Sequence, residues 1–200
     1  MKKIIKKHLL LIAISALGLG YNVNAQAKYN VSSSKNNDMK LSGTSTLHNW
    51  TMDAKTFAGA AQFGLTPGNN AQLTAIKSLA FSLIVENLKS GENGLDKNAY
   101  KALKTGQYKN IVYTLTSAKV LPGKDNKYLV KTRGNLVIAG VTKVVTMDVY
   151  CIVNKDATIT CNGSDKINMS DYNVKPPSFM LGAMKTGNAI TLDFTLVYAK

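Results

Sequence analysis

Apolar and polar residues alternate over short stretches for most of this chain, which is the period of a half-buried strand. The clearest run is Ser78 to Asn87, where Leu79, Phe81, Leu83 and Val85 face one way and Ser78, Ala80 and Ser82 the other. Ile111 to Leu121 repeats the pattern with Ile111, Tyr113 and Leu115. Near the end of the chain, Ile190, Leu192, Phe194 and Leu196 alternate with Thr191, Asp193 and Thr195. Lys131 to Val149 holds two such runs around Ala139-Gly140-Val141-Thr142. Leu136 and Ile138 share a face in the first run; Val145, Met147 and Val149 share one in the second. The stretch predicts an antiparallel hairpin with one dry side. A four-residue connection sets Leu136 against Val145 and Thr132 against Val149, and a slip by one residue would turn one apolar set to water.

The remaining segments fit around these runs. Gln26 to Asn37 predicts a short first strand, Met39 to Leu47 a weakly alternating second, and Thr51 to Leu65 a further extended stretch. Thr66 to Asn70 and Pro122 to Asn126 are turns by their proline, glycine and asparagine content. After the break at Ser90 to Gly94, Leu95, Ala99, Ala102 and Leu103 recur at helical spacing, predicting a helix over Leu95 to Thr105 that Gly106 ends. A strand follows the turn at Lys155-Asp156-Ala157 and fades near Gly163, and Asp165 to Asn173 predicts a short helical or looping excursion. The pattern is all-β: about eight strands, one or two short helices, no repeat and no second domain. Strands at this spacing close into a barrel or stack as a sandwich. The inward set extends to Val130 and Leu115. A barrel of this size either fills its interior with side chains or keeps a slot for one apolar ligand, and alternation does not separate the two.

The N-terminus changes the compartment. Lys2, Lys3, Lys6 and Lys7 precede an apolar stretch from Leu9 to Leu19, and Val23-Asn24-Ala25 supplies a cleavage context. Residues 1–25 are therefore expected to be a signal peptide and 26–200 the folded domain, placed in the periplasm or secreted. The apolar stretch is far shorter than the roughly 20 residues a spanning helix needs. Removing its four lysines from the 25 basic residues leaves a net charge of about +10 against 11 acidic ones. The lysines are scattered and stand beside no aromatic stacking platform, so no nucleic acid is expected as a partner. Transient contact with an acidic membrane surface is the partner class that the charge leaves open.

Export also bears on the two cysteines. Pairing Asn154 with Thr158 across the Lys155 turn sets Cys151 opposite Cys161, and an even pair in an oxidising compartment predicts a disulfide, with two buried thiols as the alternative. Catalysis is not expected. Past residue 25 the chain has a single histidine, His48, and no Gly-x-Ser-x-Gly nucleophile turn, so no metal site is expected and no general base stands beside a partner. Trp50 is either a core anchor or part of a ligand wall.

Four segments, in order, carry a resemblance. Leu41-Ser-Gly-Thr-Ser-Thr-Leu-His-Asn-Trp50, the passage from Leu95 to Tyr113, Gly134-Asn-Leu-Val-Ile-Ala-Gly-Val-Thr-Lys-Val-Val-Thr146 and Ile167-Asn-Met-Ser-Asp-Tyr172 resemble the YceI-like family of exported, polyisoprenoid-binding, lipocalin-like bacterial proteins. The chain departs from that family's pattern at Met169, where a basic residue is common, and at Asn49 and Asn173, where glycine is common. The resemblance implies an eight-stranded antiparallel lipocalin-like barrel around an apolar tunnel, and an arrangement often dimeric. Its implied ligand is an isoprenoid quinone, a polyprenol or a similar long-chain lipid, with no other cofactor. The expected tunnel wall is Trp50, Phe81, Leu83, Tyr113, Leu136, Met147 and Phe194, and the expected head-group contacts are Ser45, His48 and Asn168. The competing reading is a packed barrel that protects or binds at the envelope without a small ligand.

Overall fold

The alternating runs become eleven strands among the described residues, which are 27–200 apart from 69, 180 and 182 of a computed structural model. The expected signal segment lies outside those residues. The strands are β1 (Lys28–Val31), β2 (Asp38–Ser45), β3 (Trp50–Ala54), β4 (Ala58–Leu65), β5 (Leu73–Ile84), β6 (Asn110–Pro122), β7 (Lys127–Ile138), β8 (Val141–Val153), β9 (Ile159–Asn168), β10 (Ser178–Phe179) and β11 (Met184–Ala199). One helix, α1 (Asn93–Ala102), and two single 3₁₀ turns, Val85–Asn87 and Met169–Tyr172, interrupt them.

Every pairing between these strands is antiparallel, and the ladder closes. From β1 it runs through β4, β5, β6, β7, β8, β9 and β11, and β11 returns to β1 through Asn30 against Ala199 and Val31 against Tyr198. Farther along β11, β2 takes the place of β1, and β3 pairs with β2 as β4 pairs with β1. β1 and β2 are thus two halves of one stave, and β3 and β4 two halves of the next. Eight staves make a closed antiparallel barrel, which leaves no long edge to attract another chain. The extended stretch expected from Thr51 to Leu65 is therefore broken between β3 and β4.

The β7–β8 hairpin forms with the expected dry face but a tighter turn. Ile138 pairs with Val141, Leu136 with Lys143 and Thr132 with Met147, so only Ala139 and Gly140 lie outside the ladder. Both have positive φ, 47° and 79°, which gives a two-residue loop the backbone twist its strands require. The register differs from the expected one by two residues in pairing. Because the side-chain period is also two, Leu136, Ile138, Met147 and Val149 still point inward.

Two other elements differ from expectation. β9 continues past Gly163 to Asn168, and only Met169–Tyr172 forms the excursion. Gly163 carries no side chain because the Phe194 ring occupies that space, 2.8 Å from where a Cβ would lie. The helix stops before Gly106. Lys104 takes the left-handed conformation at φ 55°, while Thr105 N–H donates to the Tyr100 carbonyl and Lys104 N–H to that of Lys101. These are the paired closing bonds of a Schellman cap.

Cys151 and Cys161 stand opposite each other, as the turn pairing predicts, and both are buried. They are two free thiols with their sulfurs 2.6 Å apart, in place of the expected disulfide, whose bond length is about 2.05 Å.

Candidate ligand-binding site

The inward residues of the staves leave the middle of the barrel empty. A cavity of about 410 Å³ runs between them, within the range of small-molecule sites. Trp50, Phe81, Leu83, Tyr113, Leu136, Met147 and Phe194 all line it, each at an inward position of its strand. Met39, Leu41, Ile111, Leu115, Leu192 and Leu196 complete the staves, and α1 lies across one end with Leu95, Ala99, Ala102 and Leu103 facing in. Alternation finds the wall because each inward residue of a closed barrel must meet the same interior. Trp50 is fixed by its Nε1 donating to the Thr44 carbonyl at 3.2 Å, and its ring occupies the space that a Gly43 side chain would fill.

α1 is tied down rather than free. Asp96 is buried, and its Oδ1 accepts from the Ser90 N–H at 2.8 Å and the Ser90 hydroxyl at 2.7 Å. The Tyr100 hydroxyl donates to the Leu88 carbonyl at 2.7 Å and accepts from Lys89 Nζ at 2.9 Å. The rim of the cavity lies where exposed residues join its lining: Leu47 and His48 on the β2–β3 turn, Glu92 before α1, and Lys185 on β11. Lys185 is bound to that turn through its carbonyl, which accepts from Thr46 N–H at 3.0 Å.

The three expected head-group residues fare differently. His48 and Ser45 line the cavity near the rim. The Ser45 hydroxyl, however, donates to the His48 carbonyl at 2.8 Å and accepts from the N–H groups of Leu47 and His48, so it builds the turn. Asn168 is not part of the lining; its Nδ2 donates to Asp171 at 3.3 Å.

Away from the rim the polar groups of the lining are few, and sequence reasoning assigned none of them a ligand role beyond the Tyr113 ring. Asp165 on β9 faces inward, opposite Leu192, and burial pushes its carboxyl above the usual range, partly offset by the Lys166 N–H. Burial, with Asp165 and Asp171 nearby, pushes Tyr172 up to about 12. At the end away from the rim, Tyr198 is fully buried and its ring meets Phe63 at 5.4 Å, while Phe63 meets Tyr29 at 5.2 Å, both edge to face. Burial holds the Tyr198 hydroxyl well above its ordinary range, with smaller contributions from Cys161, Cys151 and Tyr113. Contact with Cys151 and burial raise the Cys161 thiol likewise. The signal that would have found Asp165 is the period of two carried on from Cys161 through Gly163. Among the described residues, no group of three or more histidine, cysteine or acidic side chains is placed to hold a metal ion, and no helix is long and apolar enough to cross a membrane.

Known proteins share this fold. The YceI-like domain matches residues 22–198. The crystal structure of BcnA from Burkholderia cenocepacia superposes with a TM-score of 0.63 at 20% identity, covering 85% of this chain and 99% of its own. A polyisoprenoid-binding domain from Saccharophagus degradans, implicated in plant cell wall breakdown, gives 0.64 at 14% identity, covering 86% and 98%. The YceI protein of Campylobacter jejuni gives 0.52 at 19% identity, covering 71% and 81%. Among curated proteins no sequence matches the chain.

Proposed function

The chain belongs to the YceI-like family, and from that premise we propose that it is an exported carrier that encloses an isoprenoid or similar long-chain lipid in its barrel. The observation that carries this reading is the cavity of about 410 Å³ with an almost wholly apolar lining. An apolar void of that size leaves its lining without contacts, and a lipid chain supplies them. Each buried methylene adds roughly 0.8 kcal/mol, so a long chain binds tightly with few directed contacts and with tolerance of length. The polyisoprenoid-binding domain of Saccharophagus degradans, which shares the fold, supports the same ligand class. The lipid is cargo in this reading, either an isoprenoid quinone or a polyprenol, and the protein binds without catalysing a reaction.

The basic, apolar N-terminal segment supports export to the periplasm or beyond. Exposed Leu47 and Lys185 at the rim suit brief contact with an anionic membrane during transfer. The test is to purify the protein from the periplasm of a producing bacterium, extract it with organic solvent and weigh the extract by mass spectrometry. About one lipid per chain is expected; folded protein that yields no stoichiometric lipid would sink the carrier reading and favour the packed envelope protein.

A further inference from the structure

A carboxylate stands inside the barrel without a counter-charge. Among the described residues, the lining groups that can carry charge near neutral pH are His48, Glu92, Asp165 and Lys185. His48, Glu92 and Lys185 are exposed at the rim, where water solvates them. Asp165 is half-buried and lies deeper. It pairs with Leu192, Leu192 with Leu41, and Leu41 with Met52, so these residues form one inward row across β9, β11, β2 and β3. The next row toward the rim holds Gly43 and Trp50, about 7 Å away along the strands, and the Ser45–His48 turn follows it. Away from the rim, Gly163 with Phe194 and Cys161 with Leu196 lead into the apolar depth.

Nothing in the fold neutralises this group. Its Oδ1 accepts from the Lys166 N–H at 2.9 Å, and among the described residues no group bonds Oδ2. The ion pairs of those residues use Asp38, Asp96 and Asp148 instead. Its titratable neighbours bring no cation: Tyr172 stands close enough for Asp165 and Asp171 together to raise its pKa. Lys185 lies on the far side of the β11 irregularity between Thr186 and Ile190. A carboxylate half-withdrawn from water and left unpaired is costly, so a ligand that brings a cation to it gains an interaction the fold does not supply. A phosphate or carboxylate at that depth would meet a like charge. The whole chain, with a formal net charge of +14, attracts anions to its outer surface, so the interior carries the opposite preference.

We propose that Asp165 makes this cavity a site for single-chain amphiphiles ending in a protonated amine, with the ammonium on Oδ2 below the rim and the chain in the apolar depth. The proposal rests on the lipid-carrier reading for the chain and adds a ranking of head groups: ammonium before neutral, neutral before anionic. The purified protein, stripped of lipid, is titrated at neutral pH with tetradecylamine, tetradecanol and tetradecanoate, each below the concentration at which it self-associates. Trp50 is the only tryptophan and lines the cavity, so its emission reports occupancy, and competition among the probes shows that they share one site. The titrations are repeated with Asp165→Asn and with Asp171→Asn, which removes a neighbouring charge that is exposed and outside the lining.

The wild type is expected to bind the amine at least about tenfold more tightly than the alcohol, the size of effect that a charge-assisted hydrogen bond confers, and the carboxylate least tightly. In Asp165→Asn the amine falls to the affinity of the alcohol, the alcohol is unchanged and the carboxylate gains. Asp171→Asn keeps the wild-type order. Thermal melts of the variants, at or above the wild-type temperature for Asp165→Asn, show that lost binding is not lost folding. An amine that binds the wild type no more tightly than the alcohol overturns the proposal, and so does an amine preference that survives Asp165→Asn. A carboxylate that binds tightest overturns it as well and assigns the head group to Lys185. If none of the three probes binds the wild type, the carrier reading itself has failed, a result distinct from equal binding of all three.

Discussion

Asp165 shows what one residue on an inward position can do. Its pKa is raised by burial, so the fold favours the protonated form over the ionised one. The stability that this group contributes is therefore present below its unfolded pKa, near 3.9, and is lost as pH rises through the higher folded value. At neutral pH the carboxylate works against the barrel. Asp165→Asn keeps an oxygen that can accept the Lys166 N–H and removes the charge. The variant is expected to melt higher than wild type at pH 7, with the gap closing as pH falls below about 4; thermal melts across that range check it, and a variant less stable at pH 7 would contradict the burial argument. Legibility at this scale followed local pattern. Phe81, Leu83, Tyr113, Leu136, Met147 and Phe194 stand in alternating runs and could be placed on the wall from spacing alone, whereas Asp165 stands after a glycine and a polar stretch that mimic the end of a strand.

Elements were legible in their faces and less so in their ends. The dry side of the β7–β8 hairpin follows from a period of two, which survives a register shift of two. The choice between a two-residue and a four-residue loop rests on whether Ala139 accepts a positive φ, and alanine gives no local sign of that. The end of α1 is a similar case. Gly106 is the residue that composition selects, yet Lys104 takes the left-handed position, because the chain must turn there to bring Tyr108 over Gly140 at the hairpin tip. A side chain at φ 55° carries strain that glycine does not. Lys104 is exposed, so Lys104→Gly gives up little packing and is expected to stabilise the protein by about 0.5–1 kcal/mol. A denaturant midpoint that rises without a change in slope would bear this out; a lower midpoint would show that the lysine side chain contributes more than the strain costs.

At the scale of the whole molecule, function depends on a volume that no single element owns. Staves from both ends of the chain, β1 with β11 and β2 with β11, close the wall, and α1 covers one end. Filling the interior should therefore separate binding from folding. Leu136 is buried and lines the cavity, so Leu136→Trp projects an indole into space that is otherwise empty. Overpacking a dense core typically costs about 1–3 kcal/mol, but a void can take up the added ring. The variant is expected to stay folded, with its Tm within about 4 °C of wild type, a change of about 1 kcal/mol for a domain of this size. It should lose at least about tenfold in affinity for a tetraprenyl lipid, the equivalent of about two buried methylenes. Undiminished affinity in a folded variant would place the ligand outside the barrel.

The sequence by itself determined the inward and outward faces, the all-β class, the facing of Cys151 and Cys161 and the apolar wall, because each follows from local alternation and turn chemistry. The tertiary structure decided what alternation cannot encode. It showed that the dry faces enclose a cavity of about 410 Å³ instead of meeting one another. It showed that Asp165 joins the lining and that Asn168 does not. The physical reason is that a cavity is a difference between the circumference that eight staves impose and the volume their inward side chains fill. That difference appears only when residues far apart in the chain are brought around the same space.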